Sequence, residues 1–555
     1  MKLSIFCGVR SAKTFQHSAQ PRRFLSDRCS TASEMEFGSS LPGEQNSPDD
    51  APLSVLNDGI KRVNGTAKEE TTRSVADEKG TRGPHILMVF IPSPGHAPMF
   101  VQLLYLLRHH RNVKVTVVSG GPVLAEIVKL HERGDFNDLD MHFESLFGPP
   151  PLYTKDPKFP VQAALASAQM ETEFQGVKNR LIEDKDSVGA PTSLISDHLL
   201  WWTKDTAKEL GIPWYTLSTA PTWFTLYEFE IVLRRGRDLD LNDLAQKFEK
   251  VNVSGIVDGR VDDIPQRFLE FPEFYANLTH YSLRATGLLI NSAFEVEGSA
   301  GSLATIIQLV DQRKKTDPGT PLEDTKVLPI GPMLQMSGFG ELSKLNYEPN
   351  EALQWLDTQE PGTVLYVALV SFGDVLKDVI PQLASGLEES GVPFLWIFKG
   401  QTIEHLLPEG FRERIQGRGF IETGSTSQAS ILLHPATGGF LTDCSWIAML
   451  ESLCAGVPMI TWPLSVEQPM NARFATDIQK VGVLVRDGPT EDYSTTVTKE
   501  DVSGAVKRLM VSEDPEVKEL KRNTLELKQL LSQTAGEGGS SYVTLRNFIT
   551  DLLTM

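Results

Sequence analysis

The side chains able to do chemistry gather at a few places in this chain. His96 stands in PSPGH, just after the apolar run HILMVFI. A neutral imidazole at such a place can take a proton from a hydroxyl as that oxygen attacks an electrophile. Asp197 closes another apolar run, TSLISD. Further on, GGFLTDCSWIAMLES (residues 438–452) reads as a strand running into a helix. Such junctions hold anions, because the first helical N–H groups lack partners and carry partial positive charge. This one instead places Asp443 at the turn and gives Ile447 and Ala448 to the first helical positions. Asp is a favoured helix N-cap, so Asp443 is expected to cap the helix and fill the anion site from within.

Elements of a regular kind must position these groups. HILMVFI suits a buried parallel strand, MFVQLLYLLRHH has helical spacing, and VKVTVVSGG is the next strand. TSLISD, TKDTAKELG and IPWYTLST repeat the unit, and GLLINSAFEVEG closes the first half. The polar stretch DQRKKTDPGTPLEDTK reads as a linker. The alternation then restarts with TVLYVALVSF, VIPQLASGLEESG and VPFLWIFKG. GRGFIETG, HPATGGFLTD and GVPMITWP add strands, with WIAMLESLCA as a helix between the last two. The expected fold class is α/β, with two doubly wound Rossmann-like domains facing across a cleft at their strand C-terminal ends. The expected boundaries are a disordered extension over 1–83, a first domain over 84–315 and a linker over 316–330. A second domain follows over 331–530, and a terminal helix over 531–555 packs back on the first domain.

Composition narrows the function classes. Lys plus Arg number 53 against 72 Asp plus Glu, a net charge of −19, which disfavours nucleic acid and anionic membrane surfaces. No apolar run approaches the length that spans a bilayer. The four cysteines, Cys7, Cys29, Cys444 and Cys454, form neither a disulfide framework nor a metal-ligand pattern. That usage fits a reducing compartment, and the cytoplasm is the expected location. The first residues are basic and rich in Ser and Thr, with no acid before Asp27. This is the composition of a plastid or mitochondrial transit peptide, the alternative address. A nicotinamide dehydrogenase is set aside because no G-x-G-x-x-G follows the first strand.

From residue 84 onward the chain resembles the plant-type UDP-glycosyltransferases, two-domain enzymes of the GT-B fold. PSPGH, SDHLLWWTKDTAKELGIP and ALQWLDTQEPGTVLYV carry part of the likeness. Residues 425–468 match the family's donor-binding signature without a gap, with HPATGGFLT, LES, AGVPM, WP and EQPMNARF in step. The resemblance implies that His96 is the base and Asp197 its partner. A carboxylate on the far ring nitrogen fixes the tautomer and stabilises the imidazolium that forms. It also implies ribose contacts from Gln428 and Glu451, and sugar contacts from Trp446, Glu467 and Gln468. The UDP-sugar is a co-substrate, and neither metal nor cofactor is implied. Trp201, Trp202, Trp214 and Trp223 follow Asp197, and some of them are expected to line a pocket for flat acceptors.

The donor signature departs from the family in its phosphate and uracil contacts. Ser425 replaces a Trp that stacks on uracil, a loss of roughly 1–3 kcal/mol judged from base stacking elsewhere. Asp443, Ser445, Ile447 and Ala448 replace the family's His, Gly, Asn and Ser. Each lost hydrogen bond to a charged group is worth roughly 1.5–3 kcal/mol. After Tyr366-Val367 the family's Ser-Phe-Gly turn becomes Ala368, Leu369 and Val370, and Ser371 alone keeps a hydroxyl. The expected function is inverting transfer of a hexose, glucose, from a UDP-sugar to a hydroxyl of a small lipophilic acceptor such as a flavonoid or other phenolic. The alternative is a weak or inactive relative that binds acceptor-like molecules as a carrier or regulator.

Overall fold

The apolar runs become two fully parallel sheets. This computed structural model describes residues 83–93, 95–146, 159–187, 189–226, 278, 281–282, 284–297, 301–316, 325–337, 350–369, 376–398, 403–423, 426–464, 467–486 and 497–555. The extension expected over 1–83 therefore lies almost wholly outside the described residues.

The first sheet holds β1 (His85–Val89), β2 (Val113–Gly120), β3 (Leu139–Leu146), β4 (Ser193–Asp197), β5 (Trp214–Ser218), β6 (Gly287–Ile290) and β7 (Lys326–Pro329). Their order is β3-β2-β1-β4-β5-β6-β7. All five residues of β1 are buried, as a strand covered on both faces requires. Helices α1 (Ala97–Leu107), α2 (Gly121–Glu132) and α3 (Phe159–Glu183) connect β1 to β4. The strand order reverses between β1 and β4, which are hydrogen-bonded neighbours. Such a switch point opens a crevice at the strand C-terminal ends, where doubly wound sheets bind ligands.

The second sheet has the order β10-β9-β8-β11-β12-β13. Its strands are β8 (Val364–Ala368), β9 (Phe394–Phe398), β10 (Gly419–Thr423), β11 (Thr437–Thr442), β12 (Met459–Thr461) and β13 (Gly482–Leu484). Here the reversal falls between β8 and β11. The register of β11 on β8 shifts between Thr437 and Gly439. Gly438 permits this, since a Cβ there would meet the Gly362 carbonyl oxygen at 2.0 Å. That shift sets the register of the strand that ends beside Asp443.

Two boundaries differ from the sequence reading. The expected linker, 316–330, contains β7, which pairs with β6 and completes the first sheet. Asp311–Thr316, read as linker, is the last stretch of a helix over Ser302–Thr316. Polar composition misled there because a solvated helix end and a short edge strand look alike by residue type. At the other end, α4 (Pro515–Ala535) and α5 (Ser540–Leu553) close the chain. Phe548 of α5 meets Tyr215 edge-on at 5.0 Å, and Lys326 pairs with Asp551 at 3.4 Å, so the terminal helix lies on the first sheet.

Candidate active site

His96 is the N-cap of α1 and Asp197 is the last residue of β4, so the switch point of the first sheet brings them together. His96 Nδ1 lies 2.7 Å from Asp197 Oδ2. With that carboxylate as acceptor, Nδ1 carries the proton and Nε2 keeps its lone pair. Thr219 Oγ1 stands 3.2 Å from the same Nδ1. The Leu199 N–H donates to Asp197 Oδ1 at 3.0 Å, so both carboxylate oxygens are held. Asp197 has no exposed surface, whereas the His96 side chain is 17% exposed.

Ionisable groups of the two lobes influence one another at this point. Burial disfavours the charged form of His96, but Asp197 beside it and Glu467 from the second lobe outweigh burial and hold its pKa above the usual histidine value. Burial alone would raise Asp197, yet the His96 contact and its neighbours hold it below the usual carboxylate range. Glu467 is pushed up to about 7, chiefly by burial, with Asp443 adding to the rise and His96 opposing it. His96 of the first lobe and Glu467 of the second thus lie close enough to shift each other's pKa.

The second lobe presents the remaining candidates. Gln428 opens a short helix over Gln428–Leu433, and Glu451 lies in the helix over Trp446–Ala455. The Gln428 amide donates to Glu451, and the Tyr366 hydroxyl donates to Gln428 Oε1 at 3.2 Å. The two expected ribose contacts are thus side by side. Glu467 caps the helix over Gln468–Arg473 with no side-chain bond to it. Gln468 is buried and accepts the Leu464 N–H at 2.9 Å, which ties it to its own loop. Ser371 and Ser425 lie outside the described residues.

Asp443 behaves differently from the expectation. The N-cap of the Trp446–Ala455 helix is Ser445, whose own side chain makes no capping hydrogen bond. Asp443 lies two residues earlier, 2% exposed, and accepts the Ser445 N–H at 3.0 Å. The turn needs Cys444 at φ 67°, a left-handed value that moves Asp443 out of the capping position. The carboxylate therefore stays beside the helix start.

Trp446 is placed in the contact between the lobes. It is 1% exposed, and its indole N–H donates to the Asn291 carbonyl at the end of β6 at 3.1 Å. Trp223 meets it edge-on at 5.0 Å, stacks on Phe474 at 3.8 Å, and donates to Asn471 Oδ1 at 3.2 Å. Asn471 in turn donates to the Cys444 carbonyl at 2.9 Å, fixing the turn that carries Asp443. Trp202 and Trp214 are buried, with indoles bonded to Ser167 and Ser196. Core packing and lobe contact thus account for Trp202, Trp214 and Trp223. Trp201 is half-buried and stacks on Tyr281 at 4.6 Å. Sequence reasoning missed Thr219, Tyr366 and Asn471. Tyr366 and Asn471 carried a signal, inside TVLYV and EQPMNARF, and Thr219 carried none.

Comparison with known proteins adds to this geometry. A family model described as UDP-glucoronosyl and UDP-glucosyl transferase matches residues 328–532. UDP-glycosyltransferase 73C6 of Arabidopsis thaliana is 30% identical over 507 residues, covering 84% of this chain and 96% of its own length. UDP-glucosyl transferase 73M2 of Saponaria officinalis is 39% identical over 205 residues, 36% of this chain and 41% of its own. Among solved structures, UGT2 of Phytolacca americana complexed with UDP-2fluoro-glucose and pterostilbene has a TM-score of 0.67 at 24% identity, covering 85% of this chain and 99% of that one. A UDP-glucosyltransferase from Polygonum tinctorium capable of glucosylating indoxyl has a TM-score of 0.68 at 25% identity, covering 86% and 100%.

Proposed function

This chain belongs to the UDP-glucoronosyl and UDP-glucosyl transferase family, and within it we propose that the protein moves glucose from UDP-glucose to a hydroxyl of a small lipophilic acceptor, a flavonoid or other phenolic. The carrying observation is the His96–Asp197 pair at the first switch point, coupled to Glu467 of the second lobe. As the acceptor oxygen bonds to the anomeric carbon, the sugar–phosphate bond breaks and the hydroxyl proton passes to His96 Nε2. Asp197 stabilises the imidazolium so formed. Attack from the face opposite the departing UDP inverts the anomeric carbon. Glu467 and Gln468 supply acceptors for sugar hydroxyls, and Gln428 with Glu451 for the ribose. The Phytolacca americana structure complexed with UDP-2fluoro-glucose and pterostilbene, and the Polygonum tinctorium enzyme capable of glucosylating indoxyl, support the choice of donor and acceptor class. Cysteine usage supports a cytoplasmic location, with plastid or mitochondrion as the alternative.

The buried Asp443 carboxylate and apolar Ile447 and Ala448 favour a second reading, a binding protein with little transferase activity. Asp443 adds repulsion toward a diphosphate of up to about 4 kcal/mol at close range with an effective dielectric near 20. Calorimetry with UDP separates the readings. Micromolar affinity supports transfer, and silence up to millimolar UDP supports the binding protein. The triple change Asp443→His, Ile447→Asn and Ala448→Ser is expected to raise UDP affinity by at least tenfold, since each restored hydrogen bond to a charged group is worth roughly 1.5–3 kcal/mol. An unchanged affinity would contradict this account of the turn.

A further inference from the structure

A short helix over Phe294–Glu297 follows β6 and gathers contacts from distant parts of the chain. The Val296 carbonyl accepts the Gln479 side-chain N–H of the second lobe at 2.9 Å. Glu295 Oε2 accepts the Ser540 hydroxyl of the terminal helix at 2.9 Å. Glu297 has no exposed surface, and its Oε2 accepts the Thr222 N–H at 2.7 Å, across 75 positions of sequence. Thr222 opens a helical turn over 222–226, and the first N–H groups of such a turn lack partners within it. The Glu297 carboxylate thus does from a distance what a local N-cap does. Its other oxygen, Oε1, closes no hydrogen bond among the described residues. A buried acid left half-bonded costs stability, so packing alone does not account for Glu297.

The segment held by this bond touches both halves of the site. Thr219, shortly before Thr222, stands 3.2 Å from His96 Nδ1. Trp223, directly after it, donates to Asn471, which in turn donates to the Cys444 carbonyl beside Asp443. We propose that Glu297 is a positioning residue: by holding the Thr222 N–H it sets segment 219–223, and so fixes Thr219 on His96 and Trp223 on the donor turn together. The inference rests on His96 being the base of the proposed transfer. Burial pushes the Glu297 pKa up to about 7 against the pull of Ser292 and Thr222. Charged or protonated, the carboxyl keeps an oxygen able to accept an N–H, so the hold lasts through neutral pH.

NMR of ligand-free protein labelled at tryptophan and histidine nitrogens tests this without any sugar transfer. Trp223→Phe and His96→Ala assign the two signals that matter, the Trp223 indole and the His96 ring. Glu297→Met stays close in volume but removes the acceptor, and both signals are expected to shift. Glu297→Gln returns an acceptor oxygen and is expected to bring both back. Thr222→Pro removes the donor instead, and proline at the first position of a helical turn leaves the turn intact. Both signals are expected to shift there too, so this variant carries the test where Glu297→Met fails to fold. Either signal unmoved in the Met or Pro variant overturns the proposal. So does equal movement in the Met and Gln variants, or failure of both the Met and Pro variants to fold, which would mark Glu297 as structural alone. Kinetics adds a second reading: Glu297→Met is expected to lower kcat about tenfold, within the range that a small displacement at a site costs, and Glu297→Gln to stay within about twofold. If the signals move as stated while no nucleotide sugar is turned over, the fault lies with the proposed transfer and not with Glu297.

Discussion

At the scale of single residues, the proposed transfer rests on His96 and Asp197. His96→Ala is expected to lower transfer by about 10²–10⁴-fold, the usual contribution of general base catalysis, and steady-state kinetics checks it. The same pair predicts the pH profile. Because the folded pKa of His96 is raised, its ion pair with Asp197 stabilises the fold fully below the unfolded value of 6.5. That stability is lost as pH rises through the raised value, and the free base appears over the same interval. Transfer rate should therefore climb with pH on its acid side. Glu467 runs the other way for the donor. It titrates near 7 in the fold against 4.5 ordinarily, so ionising it costs stability as pH rises between those values. Above 7 its charge joins that of Asp443 opposite the diphosphate. UDP-glucose affinity is expected to fall about tenfold from pH 6 to 8, the effect of one like charge roughly 10 Å away at an effective dielectric near 20. Glu467→Gln should flatten that slope in calorimetry, and an already flat slope in the unaltered protein would count against the acidic cradle.

Junctions between strands and helices set what the elements do. β1 delivers His96, β4 delivers Asp197, and β11 delivers Asp443, each at or just past the C-terminal end of its strand. Trp223, Trp446 and Asn471 join the lobes behind those junctions. Trp223→Ala should cost about 3–5 kcal/mol, as for other buried Trp deletions, and should loosen the turn at Cys444 through Asn471. Denaturant unfolding measures the first effect, and weaker UDP binding would report the second. The switch-point groups were legible because an apolar run followed by Gly, His or Asp has one common structural meaning. The tryptophans were not. Their type reports burial or stacking but not the partner, and Trp446 finds its partner, Asn291, 155 positions away. β7 was unreadable for a similar reason: KVLP is short and half-buried, and only its pairing with β6 makes it a strand. Asp443 was placed at the helix by type, but the left-handed Cys444 that displaces it has no signature in a residue commonly found elsewhere.

At the largest scale, the described residues form two lobes that meet at the Trp223–Trp446 contact, with the terminal helix lying on the first sheet. Phe548→Ala is expected to lower stability by about 3 kcal/mol, read as an earlier denaturant midpoint, while UDP affinity stays within twofold. A strong loss of UDP affinity would mean that the terminal helix also shapes the donor site. Neither lobe alone contains both the base and the donor contacts, so the proposed reaction belongs to the intact chain. The most direct measurement is proton NMR of the product formed from UDP-α-glucose and a phenolic acceptor, run in parallel with His96→Ala protein. The account predicts a β-glucoside from the unaltered chain and at least a hundredfold less from the variant. An α-glucoside, or equal turnover by both proteins, would contradict it.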